Sequence, residues 1–99
     1  MDRLACDIAV IGAGAAGLAT AVFARRMNSA ASVVVFDGAK SPGAKILVSG
    51  GSRCNVTNIV VSEHDFCGGS PAVVRRVLRG FPVPDTIAFF RDIGVSLHE

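Results

Sequence analysis

The chain has 99 residues, 51% of them hydrophobic, and carries a net charge of only +2. That apolar content excludes a disordered tail, and so small a charge excludes the electrostatic footprint of a nucleic-acid or membrane-surface binder, which leaves a small molecule as the expected partner. The three cysteines, Cys6, Cys54 and Cys67, show neither C-x-x-C nor metal-ligand spacing; an odd count argues against a secreted disulfide framework, so a cytoplasmic location is expected, with no metal site.

The run Asp7-Ile8-Ala9-Val10-Ile11 is short, apolar, rich in branched residues and closed by glycine, which predicts a buried parallel strand. Residues 15–27 follow with Leu18, Ala19, Val22 and Ala24 among small residues and with Arg25, Arg26 and Asn28 at the far end, the pattern of a helix that starts inside the glycine turn. Residues 8–24 are seventeen in a row without a charge. A membrane segment or signal core is nevertheless not expected there: the run is short for a span, Gly12, Gly14 and Gly17 weaken a helix through its middle, and Asp2 and Asp7 stand where a basic region belongs. Ser32-Val33-Val34-Val35-Phe36 is a second strand, closed by Asp37-Gly38. Strand, helix and strand together take about thirty residues, the length of a right-handed crossover.

Residues 39–58 carry Gly43, Gly50 and Gly51 with Ser41, Ser49 and Ser52 around one apolar stretch, Ile46-Leu47-Val48. They read as a loop, long for mere connection. From Ser70 the pattern turns helical, with Val74, Val77, Leu78 and Phe81 on one face and Arg75, Arg76 and Arg79 off it. A second helix is expected from Pro84-Asp85 to Gly94, burying Ile87, Phe90 and Phe89, after which Val95-Ser96-Leu97 reads as the start of a strand.

Gly12-Ala13-Gly14-Ala15-Ala16-Gly17 fits the dinucleotide fingerprint G-x-G-x-x-G, and its context strengthens it. It follows a strand, opens a helix, and is succeeded twenty residues after Gly17 by Asp37 at the end of the second strand. In such a motif Gly12 allows the tight turn, Gly14 lets backbone amides at Ala15 and Ala16 approach a pyrophosphate, and Gly17 lets the helix pack on the strand. Asp37 would accept hydrogen bonds from the adenosine ribose, and its charge disfavours a 2′-phosphate. The fingerprint alone does not choose between FAD and NAD.

Residues 10–18, together with Lys45-Ile46-Leu47-Val48-Ser49-Gly50-Gly51-Ser52-Arg53-Cys54-Asn55-Val56-Thr57-Asn58, resemble the BaiN-like, or YhiN-type, family of FAD-dependent oxidoreductases. The second segment is the specific part. The resemblance also reaches residues 81–99, where family members carry Phe-Phe-x-x-x-Gly before a strand, and implies that this chain corresponds to about the first quarter of a typical member. It further implies FAD as cofactor, NAD(P)H as a candidate electron donor, and a cofactor site that adds Gly43, Ala44, Lys45, Arg53 and Asn55 to the fingerprint and Asp37. Three positions depart from the family pattern: Asp37 stands for a glutamate and is shorter by roughly 1.5 Å, Ala44 for an arginine and Ser52 for a glycine.

The expected fold is therefore α/β, a Rossmann-like FAD/NAD(P)-binding β-α-β unit with an incomplete parallel sheet. Residues 1–99 read as the N-terminal part of that domain: 1–38 the β-α-β unit, 39–58 the cofactor loop, 70–94 the helical pair, the remainder missing. The expected function is that of a flavoprotein oxidoreductase acting on a small organic substrate, with no catalytic acid, base or nucleophile visible. The alternative is a non-catalytic remnant that binds adenine dinucleotide weakly or not at all. A relative sharing only the fingerprint is opposed by residues 45–58.

Overall fold

A computed structural model of the chain describes residues 5–52 and 55–98. They fall into two compact units, Met1–Asn55 and Val56–Glu99.

The first unit opens with β1, Ile8–Ile11, then α1, Ala15–Met27, and β2, Val33–Phe36. The strands pair in parallel, Ile8 opposite Val33 through Ile11 opposite Phe36. Their register is locked at the entrance by a reciprocal bracket: the Asp7 carboxylate accepts from the Ser32 backbone N–H at 2.9 Å and from its hydroxyl, while Ser32 Oγ accepts from the Asp7 N–H at 2.9 Å. A one-residue slip would break these three bonds and turn every strand side chain to the other face.

Helix α1 begins at Gly14, which supplies no side-chain cap, and ends where the Asn28 N–H bonds the Ala24 carbonyl. Arg25 and Arg26 lie in its last turn, where positive charge suits the negative end of the helix dipole. The Arg25 guanidinium also donates to the Ala31 carbonyl at 2.7 Å, tying the helix end to the turn before β2. Val10, Ala13 and Ala31 are the buried apolar residues among those described. These elements are the expected ones, with each strand one residue shorter at its start, but of β1, expected to be buried, only Val10 is, and Ile8 and Ile11 are exposed.

The stretch from 39 to 58, expected as a loop, is corrected here: it contains α2, Ala44–Ser52. Ala44 to Val48 is a short run of adequate helix formers, the Leu47 N–H bonds the Gly43 carbonyl at 3.1 Å, and Ser49 Oγ bonds back to the Ile46 carbonyl. The glycine pair at 50–51 lowers the intrinsic helix preference that a sequence reading weighs, but it falls in the last turn, where glycine costs least.

In the second unit a 3-10 turn, Glu63–Asp65, precedes α3, Pro71–Gly80, and α4, Val83–Asp92. A capping box closes the 3-10 turn: Ser62 Oγ accepts from the His64 N–H while the Asp65 carboxylate accepts from the Ser62 N–H at 2.8 Å. Both helices carry proline in the first turn, where the missing N–H costs nothing. Helix α4 ends in a paired closure, Gly94 N–H to the Arg91 carbonyl and Val95 N–H to the Phe90 carbonyl at 2.8 Å, the Schellman arrangement that the glycine signals.

Several details differ from expectation. Of the apolar face foreseen for α3, Val74 and Leu78 are half-buried, but Val77 is 67% exposed, because no described element covers that side. Phe81 of the same face and Ile87 of α4, expected to be buried, are exposed as well. Val95 to Leu97 form no strand, since a strand exists only against a hydrogen-bonding neighbour and none is present among the described residues. Phe89 and Phe90 are half-buried and stack edge to face, as do Phe81 and Phe89. Among the described residues no helix is long and apolar enough to cross a membrane.

Candidate functional site

The fingerprint occupies the junction of β1 and α1. Gly12 takes φ +104°, a left-handed conformation that side chains resist, and its N–H bonds the Phe36 carbonyl at 2.6 Å, so the turn is anchored to the end of β2. Gly17 has a different task. A Cβ there would land on the carbonyl oxygen of Gly12 and within 2.9 Å of its carbonyl carbon, so glycine alone lets α1 come this close to the turn. Gly14 differs again: a Cβ would meet nothing within 4 Å, and the residue is exposed. The space in front of the α1 N-terminus is open.

That N-terminus is also electrostatically unspent. The first turn holds no acidic residue and receives no side-chain cap, so the leading N–H groups at Ala15, Ala16 and Gly17 have no capping partner among the described residues. Ala15 and Ala16 are exposed, and their small side chains leave the approach clear.

Asp37 follows β2 directly and is exposed. Because β1 and β2 run parallel with Ile11 opposite Phe36, Asp37 and the glycine turn emerge at the same, C-terminal edge of the sheet. Binding groups gather at this edge in open α/β sheets.

Gly43 is buried, and its N–H donates to the Ala13 carbonyl at 2.8 Å, which ties the start of α2 to the middle of the fingerprint. A Cβ at the same glycine would stand 3.7 Å from Leu18 Cδ1. Two helix N-termini, of α1 and α2, are thus held beside one turn. Ala44 and Lys45, both exposed, occupy the first turn of α2. Asn55 is exposed, and no hydrogen bond among the described residues joins it to the turn. Arg53 lies outside the described residues. Ala13 is the residue that sequence reasoning passed over: it is 4% exposed, and its carbonyl carries the link to Gly43. Nothing in a variable position of the motif signals such a tie.

The arrangement can receive an extended dianion at the helix N-terminus and hydrogen-bond donors, such as ribose hydroxyls, at Asp37. Among the described residues no three His, Cys, Asp or Glu side chains gather to hold a metal ion.

These features define a Rossmann-type β-α-β unit. The family model of the HI0933-like protein Rossmann domain matches residues 6–99, and the chain belongs to that family. The resemblance drawn from residues 10–18 and 45–58 is therefore borne out. The chain is 35% identical over 88 residues to a 3-dehydro-bile acid delta(4,6)-reductase of Clostridium scindens, covering 89% of this chain and 22% of that protein. It is 39% identical over 90 residues to a ribosomal RNA dihydrouridine synthase of Haemophilus influenzae, covering 91% of this chain and 22% of the relative. With a ribosomal RNA dihydrouridine synthase of Escherichia coli the identity is 37% over 99 residues, covering all of this chain and 24% of that protein. The chain spans about a quarter of the length of the curated relatives it matches.

Proposed function

We propose that this chain is the cofactor-binding segment of an FAD-dependent oxidoreductase that reduces a carbon–carbon double bond in a small organic substrate. The observation that carries the reading is the contrast between two glycines of one motif: Gly17 is required by the packing of α1, whereas a Cβ at Gly14 would meet nothing within 4 Å among the described residues. A position kept free of a side chain in front of a bare helix N-terminus fits a pyrophosphate that must come close to the backbone.

In this reading Gly12, Gly14, Ala15, Ala16 and Gly17 shape and supply the phosphate cradle, and Asp37 holds the adenosine ribose. Gly43 ties the start of α2 to the cradle, and Ala44 and Lys45, in the first turn of α2, would complete it. Arg53 and Asn55 belong to the same site by family resemblance. When bound, FAD supplies hydride transfer, with NAD(P)H as the proposed donor, while the protein contributes position and field. The three relatives are named for a delta(4,6)-reductase and for dihydrouridine synthases. Both names describe saturation of a carbon–carbon double bond, which supports that chemistry here.

A second reading of the substrate, a uridine within RNA, is favoured by two of those relatives being named for ribosomal RNA. The net charge of +2 favours the small molecule. Nucleoside analysis of ribosomal RNA from cells lacking the gene separates the two: a lost dihydrouridine supports RNA, unchanged RNA supports the small substrate.

The cofactor reading is tested by incubating the chain with FAD, removing free cofactor and recording the visible spectrum. Retained flavin bands are the expected result. A colourless protein would remove the claim that this chain holds FAD and favour a remnant without binding function.

A further inference from the structure

The second unit carries a groove of its own, of about 400 Å³, between the 3-10 turn and the α3–α4 corner. That volume suits a small molecule. Its lining combines apolar residues, among them Leu78 and Phe81, with the charged Arg75, Arg79 and Glu63 and with Thr86.

The two arginines are not equivalent. Arg75 Nε donates to Glu63 Oε1 at 2.9 Å, and this pair docks the 3-10 turn on α3. Arg79 has no ion-pair partner among the described residues. It stands four residues after Arg75 and three after Arg76 on one helix, spacings at which like charges repel. Glu63 answers only the first of these charges, so the groove keeps an uncompensated guanidinium next to apolar surface. An anion bound at Arg79 would relieve the repulsion, and a planar carboxylate matches the guanidinium fork.

We propose that this groove binds a monocarboxylate with a compact apolar body, the carboxylate on Arg79 and the body against Leu78 and Phe81. The proposal does not depend on the flavin reading, because every residue it uses lies in the second unit.

The test is an NMR titration of the ¹⁵N-labelled chain with phenylacetate, with 2-phenylethanol as the neutral counterpart and inorganic phosphate as the anion without an apolar body. Saturable shifts of the Arg79, Phe81 and Thr86 amides are expected with phenylacetate. Binding should weaken about tenfold for either control probe and for Arg79→Gln, with partial recovery in Arg79→Lys, as loss of a charge-assisted contact requires. Arg79 is exposed, so these variants leave the packing untouched. Shifts that fail to saturate, equal affinity for the alcohol or for phosphate, or an unchanged response in Arg79→Gln would each overturn the proposal.

Discussion

Replacing Gly14 by aspartate should stabilise the fold and abolish dinucleotide binding, two effects of opposite sign from one side chain. Gly14 sits at φ −81° and ψ −170°, extended backbone that any residue adopts, and a Cβ there meets nothing within 4 Å. As the residue preceding α1, an aspartate can accept from the leading N–H groups and place its charge on the positive end of the dipole. Capping by Asp in place of Gly adds a few tenths of a kcal/mol and the dipole about 0.3–1, so a gain of roughly 0.5–1 kcal/mol is expected. The same carboxylate would stand against a pyrophosphate. At about 5 Å and the dielectric of water, each of two phosphate charges is repelled by roughly 0.8 kcal/mol, or about 1.7 in all. The N–H groups taken by the new cap remove a further 1.5–3 kcal/mol, roughly, of charge-assisted bonding. Binding of FAD should therefore weaken by at least about a hundredfold. Urea denaturation followed by circular dichroism reads the first effect, and calorimetric titration with FAD reads the second. Undiminished FAD affinity would refute the placement of the pyrophosphate, and an unchanged or lowered stability would refute the claim that the helix start is uncapped.

Gly17→Ala should act in the reverse sense: its Cβ would overlap the Gly12 carbonyl, backbone that no rotamer change can move aside. A loss of about 2 kcal/mol is expected from such overpacking, visible as a lowered urea midpoint, whereas unaltered stability would sink the close-approach argument. Asp37→Ala removes the acceptor for the ribose hydroxyls and should weaken FAD binding by roughly ten- to a hundredfold with no change in melting temperature, as measured by calorimetry beside thermal denaturation. Glu63 is held below the usual carboxylate range by a hydrogen bond to its own backbone and then by the Arg75 guanidinium. A depressed folded pKa means that this contribution is present above the ordinary carboxylate pKa and is lost as pH falls through the lowered value. Amide shifts of the 3-10 turn, followed by NMR as the pH is taken down through the acid range, should move at a lower pH than those of a free glutamate, and Glu63→Gln should remove that transition.

How much of this was legible in the sequence depended on how local its cause was. The β1, α1 and β2 elements were readable because each is set by its own residues: branched apolar runs for the strands, small and apolar residues for the helix, and glycine or Asp-Gly punctuation between them. Helix α2 was not, because what holds its start is the bond from Gly43 to Ala13, a contact between segments thirty residues apart. Serines and glycines in residues 49–52 gave the composition of a loop, and no period in so short a segment could outweigh it. The apolar face of α3 was overread for the same reason in reverse: periodicity identified Val77 as inward, yet inwardness needs a neighbour, and none is described there. Asp37 and the three fingerprint glycines were read as candidate site residues from spacing alone, and the structure puts them at one edge of the sheet. Gly43, Ala44, Lys45 and Asn55 came from family resemblance; the structure ties Gly43 to the turn and puts Ala44 and Lys45 in the first turn of α2, and no hydrogen bond among the described residues joins Asn55 to the turn.

The fingerprint therefore joins two requirements that are physically independent. Gly12 and Gly17 serve the fold: one makes the turn out of β1, and the other lets α1 lie against it. A chain that bound nothing would still need both. Gly14 serves no packing contact among the described residues, and a fold selected only for stability would place an aspartate, serine or asparagine at that position, since each caps a helix better than glycine. Its presence in front of an uncapped helix, with Asp37 at the same edge of the sheet, is thus the part of the motif that packing does not explain. Against the alternative of a remnant without binding function, the decisive comparison is between positions rather than between proteins. If the site is used, Gly14→Asp and Gly17→Ala separate binding from stability in opposite directions. If it is not, both report on folding alone.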